Sequence, residues 1–320
     1  GWAFSSWSGD LSGSVTPGSI TMDSNKTITA TFIQSEYSLT ITVTLLAGGS
    51  VTSDKNPPYH YGDVVTLTPH ANPGYTFDHW SGDGTDGSGN TRVVNVTGNM
   101  AITATFTQNQ YTLTVNIIGI GCSVTKFPDQ ATYTYGAVVT LTPVAAAGWA
   151  FSNWSGDLTG SGTPGSLTMT GNKTVTAIFT QNVYTLSVSA IGSGSVSRNP
   201  IKASYVYGES VELTAIPAAG WSFTGWSGDL SGSANPRSII MDDNKTVTAT
   251  FTQDQYTLTV NVVGSGSVSK NPNQATYVYG ASVQLTATPQ AGWSFSGWSG
   301  AFSSSTNPVT VIVNGSLSVT

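Results

Sequence analysis

The side chains able to do chemistry are few, and their spacing limits what they can do. All three histidines, His60, His70 and His79, fall in one stretch of the chain. Their separations match no tight metal-ligand motif. Solvated histidines are the plain reading, and a metal site peculiar to that stretch is the sharper one. Aspartates recur at the end of a Trp-Ser-Gly-Asp motif, at Asp10, Asp83, Asp157 and Asp229, with Ala301 in the fifth copy. In a glycine-rich turn such an aspartate accepts hydrogen bonds from its own backbone. One copy continues as Asp83-Gly84-Thr85-Asp86-Gly87-Ser88-Gly89-Asn90. The alternating oxygens of Asp83, Asp86 and Asn90 suit Ca²⁺, although the bidentate glutamate of a strong calcium loop is missing. Glutamates occur only at Glu36, Glu209 and Glu212 and do not recur, so no carboxylate pair for glycoside cleavage is expected. Serines are abundant, but no histidine and acid repeat alongside them. The expectation is a non-enzymatic chain.

Tryptophan offers the best alternative chemistry. Trp7, Trp80, Trp154, Trp226 and Trp298 recur in the same motif, and an exposed ladder of indoles would stack on sugar rings. The competing reading is that these rings fill small cores, since each buried aromatic stabilises by roughly 1.5–3 kcal/mol. Alternation puts Trp293 and Phe295 on one face and Trp298 on the other, unless Gly297 forms a bulge.

The elements that would position these residues are set by the repeat. The motif tryptophans are spaced by roughly 72–74 residues. Tyr37, Tyr111, Tyr184 and Tyr256 open strands at the same period, and Phe32, Phe106, Phe179 and Phe251 close each unit. Apolar and polar residues alternate within each unit, as in Tyr256, Leu258, Val260 and Val262 against Thr257, Thr259 and Asn261. The fold class expected is all-β: a tandem array of small β-sandwich or β-grasp-derived repeats, about six or seven short strands each, forming a semi-rigid rod. The one place where a short helical turn would fit is Tyr279-Gly280-Ala281-Ser282-Val283. The divisions are residues 1–34 (the second half of a repeat), 35–108, 109–181, 182–253 and 254–320, the last stopping just before its final strand ends. Both ends cut through repeats, which fits a fragment, or copies that complete each other's halves. Joints are short and recur as Thr-Gln-x-x-Tyr at Thr107, Thr180 and Thr252. Units roughly 30 Å across would span on the order of 130 Å in a line.

These blocks together resemble a known family. Tyr256-Thr257-Leu258-Thr259-Val260, Gly264-Ser265-Gly266-Ser267-Val268, the Gly-Trp-x-Phe-x-x-Trp core at Gly1–Trp7, Gly148–Trp154, Gly220–Trp226 and Gly292–Trp298, and Asn244-Lys245-Thr246-Val247 are similar to the divergent internalin-type B-repeat. Gly74–Trp80 is a close variant. The resemblance implies tandem repeats on secreted or wall-attached prokaryotic proteins, with stalk, spacer or adhesive roles and no shared catalytic residues. It also implies a β-grasp with one helix, whereas Val283–Thr288 has the alternation of a strand.

Composition narrows the partners. Only 8% of residues are charged, the net charge is −6 and the ten Lys and Arg are scattered, so nucleic acid is not expected as a partner. No apolar run approaches the ~20 residues of a membrane-spanning helix. The single Cys122 cannot form an internal disulfide. The expected location is extracellular or at the cell surface, and the expected partners are other copies of the chain, other surface components or glycans. The expected role is a structural stalk, fibre or spacer that could self-assemble into filaments. The alternative is a multivalent adhesin or carbohydrate-binding array. No cofactor is expected apart from calcium at the one loop.

Overall fold

The computed structural model describes residues 1–84 and 89–320. The chain divides into two compact units, Gly1–Val144 with Phe151–Phe179, and Ala145–Ala150 with Thr180–Thr320. The described residues contain strands and turns and no helix.

In the second unit, the repeat after Gln181 shows the pattern in full. Its strands are β1 (Val183–Tyr184), β2 (Leu186–Ile191), β3 (Gly194–Asn199), β4 (Tyr205–Val206), β5 (Glu209–Pro217), β6 (Trp221–Gly228), β7 (Arg237–Met241) and β8 (Lys245–Gln253). They form a ribbon β1-β4 and two three-stranded sheets, β2-β8-β6 and β3-β5-β7. β8 runs parallel to β2 and antiparallel to β6, while β3-β5-β7 is antiparallel throughout. A parallel pair needs a long crossover, and here the crossover is the whole second sheet.

Strand alternation explains the core between the sheets. Val211, Leu213 and Ala215 of β5 and Val247, Ala249 and Phe251 of β8 join Trp226, Ile239 and Met241 in one buried cluster. Thr246, Thr248 and Thr250 occupy the alternate positions of β8 and are exposed or half-buried. Because both sheets feed one core, the repeat is a small β-sandwich. The repeat that follows it also has two sheets, Leu258–Val260 with Leu317–Val319 and a three-stranded one in which Ala281–Pro289 stands in place of β5, but no strand stands in place of β6. The expected helical turn is replaced: Tyr279-Gly280 is a tight turn with Gly280 at φ +81°, and it leads straight into that strand. Glycine reaches this left-handed conformation without the steric cost that would favour another geometry.

In the first unit, a hairpin of Trp2–Gly9 and Ile28–Gln34 comes first. A repeat with the two-sheet plan follows, its core formed by Val65, Leu67, Trp80, Val94, Ile102, Ala104 and Phe106. The next repeat contributes Val139, Leu141, Trp154, Met169, Val175, Ala177 and Phe179 as buried residues.

Candidate functional site

The recurrent Trp-Ser-Gly-Asp corner lies at the end of β6, and its geometry follows from one irregularity. Phe223 pairs with Phe251 and Trp226 with Ala249, with a register shift between Phe223 and Gly225. One extra residue on β6 is a bulge. The bulge turns Trp226 onto the same face as Phe223 instead of the opposite one. Phe223 lies 4.9 Å from Trp226 and 5.8 Å from Phe251, centroid to centroid. The same trio recurs as Phe77, Trp80 and Phe106, and as Phe151, Trp154 and Phe179.

The polar edge of each indole is also used. Trp226 Nε1–H donates to Ala234 O at 2.9 Å, and Trp80, Trp154 and Trp298 donate to Gly89, Gly162 and Thr306 carbonyls. Trp80, Trp154, Trp226 and Trp298 are only 1–4% exposed. An indole covered on its faces and bonded at its nitrogen has no surface to offer a sugar ring, so the alternative of a stacking ladder is corrected at these four positions: the rings are core. Trp7 keeps its bond to Val15 O and is half-buried.

The motif aspartate bridges two strands. Thr246 N–H donates to Asp229 Oδ2 at 2.6 Å, while Asp229 N–H donates to Thr246 O at 2.9 Å. Asp10 with Thr27, Asp83 with Ala101 and Asp157 with Thr174 repeat this two-point clamp. The expectation of bonding to its own turn is therefore corrected to a bond across to the neighbouring strand, β8. Ala301 retains the backbone half, donating to Ser318 O. The Thr174 N–H, and then the Lys173 ammonium, hold the Asp157 carboxyl below its ordinary value.

Asn244 is the residue that sequence reasoning underrated. Its Oδ1 accepts from Thr185 N–H at 2.8 Å and Thr185 Oγ1–H at 3.0 Å, tying the turn before β8 to the start of β2. Asn172 does the same for Thr112, and Asn99 accepts from Ser38 N–H.

Strands, bulge and clamps thus recur as one unit, and the sequence comparison has the same period. Segments 1–36, 39–110, 111–183, 184–255 and 256–320 each match the model of the divergent InlB B-repeat domain. The chain belongs to the divergent InlB B-repeat family. No curated protein matches it. As a tandem B-repeat array it has the character of a surface-protein repeat region, in a family not known for enzymatic activity.

The remaining candidates in this B-repeat array are dispersed. His70 Nε2 lies 3.0 Å from Thr52 Oγ1, His79 Nδ1 is 3.1 Å from Asp78 Oδ2, and His60 Nδ1 is 3.8 Å from Asp63 Oδ2. Among the described residues, no group of three His, Cys, Asp or Glu could hold a metal ion. Of the calcium candidates, Asp83 already accepts from Ala101 N–H, Asn90 is exposed, and Asp86 lies outside the described residues. No helix among the described residues is long and apolar enough to cross a membrane. A cleft in the last B-repeat is lined by Gly266, Val268, Trp293, Phe295 and Trp298. In the preceding repeat the counterpart of Gly266, Gly194, sits against the ring of Phe251.

Proposed function

We propose that this array is a structural spacer in a secreted or cell-surface protein, separating functional parts of its parent by repeated B-repeat units. The observation that carries the reading is the use made of the recurrent side chains. Tryptophan and phenylalanine go into each core, and aspartate and asparagine go onto the backbone. What recurs is the means of building a repeat. Tandem units with short joints suit a part whose length is set by copy number, since repeat arrays are stabilised by each unit and its nearest neighbours.

A copy-number ladder tests the proposal. Arrays of two, three and four repeats are placed between an immobilised anchor and a fluorescent reporter, and the anchor-to-reporter distance is measured. Equal increments per repeat are expected. A distance independent of copy number would overturn the spacer reading. Glycan-array binding that increases with copy number would replace it with the adhesive alternative.

A further inference from the structure

The strongest unassigned feature is a close approach between consecutive repeats, found twice within each unit. In the first unit, a Cβ built on Gly74 would lie 2.2 Å from Tyr135 Cβ, and one on Gly1 would lie 2.6 Å from Tyr61 Cβ. In the second unit, the distances are 2.3 Å from Gly148 to Tyr207 and 2.1 Å from Gly220 to Tyr279. No side chain tolerates such contacts, so each glycine leaves room for a tyrosine contributed by the following repeat. These are the glycines that open the Gly-Trp-x-Phe and Gly-Tyr-x-Phe blocks, and the tyrosines stand in the Tyr-Gly turn before the next β5 counterpart.

The same glycines hold the joint through their carbonyls. Ser35, Asn109, Asn182 and Asp254 N–H groups donate to the carbonyls of Gly1, Gly74, Gly148 and Gly220 at 2.7–2.8 Å. The linker side chain is gripped from both sides. Ser222 Oγ–H donates to Asp254 Oδ1 at 2.6 Å, and the Tyr256 hydroxyl donates to Asp254 Oδ2 at 3.3 Å. Asn109 is held likewise by Thr76 and Tyr111. Behind the linker, Tyr256 pairs with Tyr279 at 6.4 Å, and Tyr111–Tyr135 and Tyr184–Tyr207 pair at 6.5 Å.

We infer that each of these glycines is a socket for the tyrosine of the following repeat, and that at Gly1, Gly74 and Gly220 socket and clamped linker together fix the angle between the consecutive B-repeats of one unit. The partner this surface fits is another copy of the same repeat. The inference stands on the joint geometry and does not depend on the spacer reading.

The chain contains its own control. Gly292 occupies the same turn at φ +88°, close to the +73° of Gly220, and nothing lies within 4 Å of its Cβ position. Alanine at either site incurs the backbone strain of a positive φ, but only at Gly220 does it also meet a ring. The experiment uses the full chain with Cys122→Ser and spin labels at the exposed positions Ser238 and Thr310. It reads the inter-label distance distribution together with hydrogen exchange of the Asp254 amide. Gly220→Ala should shift or broaden the distribution and speed Asp254 exchange at least tenfold, while Gly292→Ala leaves both unchanged. Tyr279→Ala, which adds no backbone strain, should broaden the distribution in the same way and carries the test if Gly220→Ala fails to fold. Equal behaviour of the two glycine variants, or a narrow distribution in Tyr279→Ala, would overturn the inference.

Discussion

The N-terminal hairpin and the β6/β8 pair carry the same motif in different surroundings. Both have the bulge, the indole-to-carbonyl bond and the aspartate clamp. Phe4 lies 4.9 Å from Trp7, as Phe223 does from Trp226. Yet Phe32 is 54% exposed where Phe251 is 2% exposed. Phe251 is covered by Val211, Leu213 and their neighbours in the opposite sheet, and residues 1–34 include no counterpart of that sheet. Motif geometry is therefore local, whereas burial is supplied by the other half of the repeat.

That difference makes the effect of a substitution depend on its setting. The largest effect is expected for Trp226→Ala, which should destabilise its repeat by about 3–5 kcal/mol, as large-to-small changes in packed cores do. Trp7→Ala should cost well under half of that. Denaturant unfolding followed by repeat-resolved hydrogen exchange distinguishes them, and equal losses would break the comparison. Asn244→Ala comes next. It leaves Thr185 N–H without its acceptor and should cost about 1–2 kcal/mol. Asn25→Ala, in a hairpin with no β2 counterpart, should leave stability nearly unchanged in the same assay.

Acid should weaken the clamp of the third repeat. The folded-state pKa of Asp157 is depressed, chiefly by the Thr174 N–H, from a reference of 3.8. Its stabilisation is therefore fully present above that reference and is lost as pH falls through the lower folded value. Asp157→Asn should flatten the acid limb of the third repeat's stability curve, measured by exchange at stepped pH. The smallest effect is a gain. Ala301→Asp restores the carboxylate opposite Ser318 N–H and should stabilise the last repeat by about 0.5 kcal/mol, seen as a small rise in denaturant midpoint.

Much of this architecture was legible in the sequence, for a physical reason. A period-two pattern such as Val247, Ala249, Phe251 against Thr246, Thr248, Thr250 admits only a half-buried strand. The 72-residue spacing, roughly constant between landmarks, exposed the tandem order. The side of the sheet taken by the motif tryptophan was not legible, because the bulge has no signature residue. Ser6, His79, Asn153 and Gly225 each precede the tryptophan. Asn244 read as turn chemistry because its partner, Thr185, is 59 residues away in sequence. Short-range propensity also left the Tyr279-Gly280 turn open to a helix, and the positive φ of Gly280 decides against it.

The central claim is that the recurrent tryptophans are interior parts of a repeated building unit. It is tested most directly by acrylamide quenching of the full chain with Trp2, Trp149, Trp221 and Trp293 changed to Phe, leaving only the five Trp-Ser-Gly indoles. Four of those five are buried, so most of the emission should be protected and the accessible fraction confined to Trp7. A largely quenchable signal from a folded chain would contradict the account and restore the tryptophans as a surface ladder.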